Sequence, residues 1–479
     1  MEWTMAPAGM AEAAGIVIAG LLADGHEAYY VGGCLRDELL GRPVHDIDIT
    51  TSALPEQVIA LFPRCVPTGL AHGTVTVLQD GHSFEVTTYR TESDYADHRR
   101  PGQVVFVRDV REDLRRRDFT INAICCGLDG TVIDPFGGEH DLKLRVIRCV
   151  GEAEERFDED ALRMLRCVRF ASVLDFRVAK NTWRGLLRQR DKLAHIAVER
   201  VRGEVARIVE GPHPQRGLGL LLRSGLLPRG KAPFPWTGTD LAAAAARLAG
   251  LGNLQDARLR WALLLHALGS SALAADELLR AWTFPGAARS GIAAVLRVRE
   301  AWDAALSSAR PEAPGALDGL RRRWIAAVLA HGTSAAEGWL TVLDAAAGGA
   351  AGVPAADGAA AGGIDASGAL DAGPDAPASG GPMPAGTWEP AAGAPAHATP
   401  ASPLTTALLR SWTAEMPLTT LAELAVSGHE VADALQKRPG PWLGELLKRL
   451  LLAAAAGDLA NDNQLLLLEA QRMDCDEGG

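Results

Sequence analysis

Two aspartates separated by a single residue, Asp46 and Asp48, follow a glycine pair, Gly32-Gly33, and an arginine, Arg36. In an extended chain, residues i and i+2 face the same side, so the two carboxylates stand together. They repel each other unless both face water or share a cation. Paired carboxylates completed by phosphate oxygens are a usual way of holding Mg²⁺. Gly32-Gly33 lies between a strand-like run, Ala28 to Val31, and a helix-like run, Cys34 to Leu40. Such a turn lets backbone amides approach a phosphate, and the helix start favours the anion. Arg36, one turn into that helix, adds a charged fork. Taken singly, a Gly-Gly turn is ordinary structure and an Asp-x-Asp strand is an ordinary solvated face. Their order along the chain makes a metal-and-phosphate site the better reading.

Asp160 and Arg163 form a second constellation. They are three apart in a segment read as one helix over 158–174, which makes their side chains neighbours. A carboxylate accepts hydrogen bonds and a guanidinium donates them. Cytosine and adenine each offer an amino donor beside a ring-nitrogen acceptor, which this pair matches. Guanine and uracil offer the reverse and would leave buried partners unpaired. The pair can therefore select C and A without a nucleic-acid template. By itself it would be read as a surface salt bridge.

The motifs continue in order: Arg116-Arg117-Asp118-Phe119-Thr120-Ile121-Asn122-Ala123, then Glu159-Asp160-Ala161-Leu162-Arg163-Met164-Leu165-Arg166, then Glu199-Arg200-Val201-Arg202-x-Glu204. With Gly32-Gly33-x-x-Arg36-Asp37 and Asp46-x-Asp48, this series resembles the class II CCA-adding enzymes and bacterial poly(A) polymerases of the DNA polymerase β nucleotidyltransferase superfamily. The resemblance spans roughly the first 230 residues. It implies metal binding by Asp46 and Asp48, triphosphate binding by Gly32, Gly33 and Arg36, and base reading by Asp160 and Arg163. It further implies a nucleotide-binding role for Arg117 and triphosphate or template-side contacts for Arg166 and Arg169. Asp118 is expected to order its own turn. Glu85 is a candidate third carboxylate, with pairing to an arginine as the alternative. Tyr89 to Pro101 looks like the flexible loop of the family at full length, which favours an enzyme able to finish with adenosine. The phosphohydrolase segment of some relatives uses His-Asp pairs. Here Ala267 follows His266, so His266 is expected to be an ordinary helix residue.

The implied activity is Mg²⁺-dependent addition or repair of the 3′-terminal CCA of tRNA from CTP and ATP. The alternatives are a poly(A) polymerase, an A-adding specialist and a non-catalytic RNA-binding relative. The intact Asp46-x-Asp48 speaks against the last.

The elements that must position these residues follow from pattern. The first ~135 residues mix strands and helices. Strands are expected at His45–Thr50, Thr74–Leu78 and Ser83–Arg90, and Asp80-Gly81 marks a hairpin. Helices are expected at 12–23, at 55–62 and in a succession from 158 to 331. The fold class is therefore α+β: a mixed, partly antiparallel sheet head followed by an all-α neck, body and tail. The expected divisions are a catalytic head over 1–150, a helical nucleotide-selecting and RNA-binding segment over 151–230 and a helical body over 231–345. An Ala/Gly/Pro-rich flexible insertion over 346–403 and a C-terminal helical segment over 404–479 complete the chain. The insertion has five acidic residues and no Lys or Arg, and cannot offset its ordering entropy by burial.

With 479 residues, 48% of them hydrophobic, the chain has material for a large core. The net charge of −11 opposes nucleic-acid binding overall. Locally, Glu155 to Arg207 carries 13 Lys and Arg against 8 Asp and Glu, which leaves room for a basic surface. Seven scattered cysteines without a CxxC pair argue against a disulfide framework or zinc site, and point to a reducing cytoplasm. No run is long enough for a membrane span.

Overall fold

The computed structural model describes residues 3–95, 101–232, 234–235, 238–309, 315–351 and 405–477. The chain forms two compact units, Met1–Gly252 with Leu279–Phe284, and Asn253–Leu278 with Pro285–Gly479.

The first unit opens with α1 (Ala8–Ala23). Its buried positions Met10, Ala13, Ala14, Val17, Ile18 and Leu21 recur at helical spacing and make one apolar stripe. This stripe packs on a seven-stranded sheet. The strands are β1 (Ala28–Val31), β2 (Ile49–Thr51), β3 (Cys65–Gly69), β4 (Thr74–Gln79), β5 (His82–Thr88), and, after the hairpin of β6 (Arg90–Tyr95) and β7 (Pro101–Phe106), β8 (Cys125–Cys126) and β9 (Val132–Ile133). Their order is β3-β4-β5-β2-β1-β8-β9. Every neighbouring pair is antiparallel except β2 with β5. Asp80 and Gly81 both have positive φ and close the tight β4–β5 turn expected from Asp-Gly. Along β4 and β5, Val75, Val77, Phe84 and Val86 are buried, and Ser83 and Glu85 alternate with them on the exposed side. The helices of this part are α2 (Gly33–Leu39), α3 (Pro55–Leu61), α4 (Val110–Arg115) and α5 (Gly138–Leu144).

Two expectations shift. The strand foreseen from His45 begins only at Ile49. Tyr30 pairs with Ile49, and Val31 N donates to Asp48 O, but the chain of β1 then turns away at Gly32 and leaves Asp46 without a partner strand. The alternation survives, with Ile47 and Ile49 buried and Asp46 exposed. The loop expected over Tyr89 to Pro101 is, where described, part of the paired strands β6 and β7; residues 96–100 lie outside the described residues.

Helices then take over: α6 (Ala153–Glu159), α7 (Leu162–Val173), α8 (Lys180–Gln189), α9 (Val198–Val209), α10 (Pro214–Ser224) and α11 (Gly238–Ala244). The single helix expected over 158–174 is broken at Asp160, whose φ of −134° and ψ of 103° are extended. Its Oδ1 accepts from Leu162 N at 3.0 Å and its carbonyl accepts from Arg163 N, so the aspartate starts a new helix.

The second unit is helical where described, with α12 (Ala257–Ala267), most of α13 (Ala272–Ala281, whose last residues belong to the first unit), α14 (Gly286–Ser308), α15 (Ala316–His331), α16 (Thr333–Ala351), α17 (Thr406–Ala414), α18 (Gly428–Ala434), α19 (Pro441–Ala456) and α20 (Asn463–Glu477). Trp302 meets Trp324 edge-on, and His266, half-buried on α12, packs edge-on to Trp339. Leu418, Val431, Leu446, Leu450 and Leu466 build a second apolar cluster. Residues 346–351 continue α16, which corrects the expected start of the insertion; Ala is the strongest helix former. Residues 352–403 lie outside the described residues. Among the described residues no single helix is long and apolar enough to cross a membrane.

Gly32 makes the β1–α2 turn with φ 80° and ψ −121°, a region open to glycine alone, and a Cβ there would lie 2.7 Å from Arg117 Nη1. Gly32→Ala should destabilise the protein by ~1–3 kcal/mol. Urea unfolding checks this; an unchanged midpoint would contradict the packing described.

Candidate active site

The polar cleft of the first unit has a volume of about 420 Å³. Of the residues singled out in the sequence, Gly33, Arg36, Asp48, Arg117, Asp160, Arg163 and Arg166 line it, while Gly32, Asp46, Glu85 and Arg169 lie outside its lining.

The carboxylate wall is built by the sheet. Extending the parallel β2–β5 register by one residue from Ile49↔Val86 sets Asp48 beside Glu85. Burial, then Asp46, and more weakly Glu85, push the Asp48 carboxyl up to about 6, against the pull of Arg117. Negative charge is thus concentrated without enough cation to balance it. Among the described residues no group of three His, Cys, Asp or Glu is placed to hold a metal ion alone. A cation there would draw remaining ligands from water or phosphate, as Mg²⁺ commonly does.

The arginine wall is held from behind. Arg36 makes a bidentate pair with Asp37 and donates from Nη1 to Asn122 Oδ1 at 2.6 Å. Arg117 reaches Asn122 O at 3.3 Å, and its buried Nε has no hydrogen-bond partner. Buried Asp118 accepts from Phe119 N and Asn122 Nδ2, ordering its own turn as expected, and its Oδ2 accepts from Arg166 Nε at 2.8 Å. Burial alone would raise the Asp118 carboxyl, but Arg166, Asn122 and Arg163 hold it well below the usual carboxylate range. The guanidinium groups of Arg36, Arg166 and Arg169 all stand over the Phe170 ring. Arg169 is bonded to Glu204 and braces α7 against α9.

Asp160 and Arg163 both face the cleft, yet they are not the helical neighbours the spacing suggested. Asp160 accepts from Arg200 Nη2 at 3.1 Å. Arg163 is pinned by Glu159 at 2.7 Å, by Arg156 O at 3.3 Å and by Arg116 O at 3.0 Å. Both are thereby held by neighbours at the side of the cleft that they line. The sequence reading gave no role to Arg200, Asn122 or Phe170. Arg200 and Glu204 lie i, i+4 on α9, and that spacing, which puts both on one helix face, was the available signal.

The sequence of this chain matches the family model described as Poly A polymerase head domain over residues 28–148. It also matches the probable RNA- and SrmB-binding site of polymerase A over 175–229, and a putative tRNA nucleotidyltransferase domain 2 over 396–470. The CCA-adding enzyme of Geobacillus stearothermophilus is 38% identical over 469 residues, covering 96% of this chain and 97% of that one. The chain belongs to the CCA-adding enzyme family. The Geobacillus thermodenitrificans member is 48% identical over 272 residues, a match that spans 65% of its length. The crystal structure of the Bacillus stearothermophilus CCA-adding enzyme in complex with CTP superposes with a TM-score of 0.72 at 33% identity, covering 98% of this chain and 99% of that one. The Thermotoga maritima CCA-adding enzyme complexed with tRNA shares the fold, at a TM-score of 0.56 and 18% identity. The chain is a nucleotidyltransferase, and this family generally uses a divalent metal.

The raised Asp48 value has a signed consequence. A carboxyl that binds its proton at higher pH in the folded state than in the unfolded chain favours folding most at low pH, and that contribution is lost as pH rises through about 6. In the metal-free protein, Asp48→Asn should therefore raise the melting temperature at neutral pH and leave it nearly unchanged below pH ~4. Melting curves across that range test it; a loss of stability at neutral pH would contradict the crowding of charge.

Proposed function

We propose that this protein adds or repairs the 3′-terminal CCA of tRNA, taking CTP and ATP and releasing pyrophosphate, with Mg²⁺ held by Asp46 and Asp48. The observation that carries the reading is a cleft lined by Asp48, by Arg36, Arg117 and Arg166, and by Asp160 and Arg163. The chain surrounding it aligns almost end to end with a CCA-adding enzyme.

The donor set fits the metal: Asp46 and Asp48 would supply carboxylate oxygens, and the Asp48 carboxyl is pushed up by burial and by the charge of Asp46. The chemistry a bound Mg²⁺ supplies is a lowered pKa for the attacking hydroxyl and neutralisation of phosphate charge. The chain's own residues do the rest. Arg36, Arg117 and Arg166 bind the triphosphate, and the unpartnered Arg117 Nε gains an acceptor. Asp160 accepts from the amino group of C or A, and Arg163 donates to the ring nitrogen. Arg200 and Glu159 hold these two readers in place. The tRNA 3′ hydroxyl, positioned near Asp48, gives its proton to solvent as its oxygen bonds to the α-phosphorus, and the bond from that phosphorus to the α–β bridging oxygen breaks, releasing pyrophosphate. Glu85 adds negative charge beside Asp48 and shares in placing the cation. Arg169 acts through Phe170 and Glu204. The basic helical segment after the head grips RNA phosphates. The free cysteines and these substrates suit a cytoplasmic enzyme.

The test is a tRNA lacking CCA, given each nucleotide singly and together, with the products sequenced. CTP alone should add two residues, and CTP with ATP should stop at CCA. Addition of A only, or of an A tract, would replace this reading with A-specialist or poly(A) synthesis. Asp46→Asn should abolish transfer while the protein stays folded. Asp160→Ala should lower C and A incorporation by roughly tenfold to a hundredfold and raise U and G relative to them. An even loss with C and A still preferred would reassign base reading.

A further inference from the structure

We infer that Asn122 is the positioning residue that sets Arg36, Arg117 and Arg166 into one triphosphate-binding arrangement; this rests on the nucleotide reading above. Asn122 closes the short turn after the Arg116-Arg117-Asp118 run and is only 6% exposed. Its side-chain Oδ1 accepts from Arg36 Nη1 at 2.6 Å. Its backbone carbonyl accepts from Arg117 Nη1 at 3.3 Å. Its Nδ2 donates to Asp118 Oδ1 at 3.0 Å, and the other Asp118 oxygen holds Arg166. One residue therefore reaches arginines from α2, from its own motif and, through Asp118, from α7.

The chemistry leaves little choice of side chain. Arg36 can only donate, and ionised Asp118 can only accept. The group between them must carry an acceptor at one end and a donor at the other, which an amide does. Aspartate keeps the acceptor and loses the donor while repelling Asp118. Leucine, close in shape, supplies neither. Arg36 already spends Nε and Nη2 on Asp37, so the bond from Nη1 to Asn122 fixes which of its remaining N–H groups face the cleft. A triphosphate, with its charge spread over several oxygens, needs all three guanidinium groups aligned together. Asn122 itself bonds to neither Asp160 nor Arg163, the readers of the base.

The test separates phosphate binding from base binding. Equilibrium affinities for CTP, for ATP and for cytidine, which has no phosphate, are measured on the full chain as wild type, Asn122→Leu and Asn122→Asp, with Mg²⁺ present and with melting curves as a control. Asn122→Leu should weaken CTP and ATP by similar factors, roughly tenfold or more, and leave cytidine unchanged. Asn122→Asp should fall between it and wild type. KM for both triphosphates should rise while the preference for C and A over U and G stays. Wild-type CTP affinity in Asn122→Leu, or an equal loss for cytidine and CTP, would overturn the inference. If Asn122→Leu does not fold, Asn122→Asp decides: CTP affinity equal to wild type overturns it, and a loss confined to the triphosphates supports it. A wild-type chain that binds no CTP overturns the nucleotide reading and this inference with it.

Discussion

The ion pair between Asp118 and Arg166 is the interaction on which the cleft depends. Six arginines line one cavity, and unaided they would repel one another. Asp118, 8% exposed, is placed by its own turn and anchors an arginine of α7 from a motif of the sheet head. Removing one member of such a pair leaves a buried charge uncompensated, which typically costs about 3–5 kcal/mol. The same logic recurs around it: Asp37 behind Arg36, Glu159 behind Arg163, and Glu204 behind Arg169. Carboxylates at the back of the arginine wall let positive charge accumulate at the front.

The opposite wall works by the reverse device. Asp48 stands with Asp46 and Glu85 and has only Arg117 to pull against them. The structure therefore keeps negative charge uncompensated where a cation is needed, and compensates positive charge where anionic phosphates must enter and leave. The glycine turn at Gly32 joins the two walls, since it admits Arg117 against the backbone that leads from β1 into α2.

Much of this was legible in the sequence because it is local. Alternation set Ile47 and Ile49 inward, Asp-Gly gave the β4–β5 turn, and helical spacing gave most helices to within a few residues. What was not legible depends on partners distant in the chain. The break at Asp160 arises from its side chain taking Leu162 N, a local competition that periodicity does not register. The pairing of Arg200 with Asp160, across 40 residues, exists only once α9 packs on α7. Asn122 and Phe170 carry no charge and read as core; their importance lies in which arginines they touch.

The most direct measurement of the central claim is a double-mutant cycle on CTP affinity with Asp118→Asn, Arg166→Gln and the two combined. If the pair acts as one unit, each single change weakens CTP and the double change is no worse than the more damaging single. If instead the two losses multiply in the double variant, the pair is not coupled and the cleft does not depend on it.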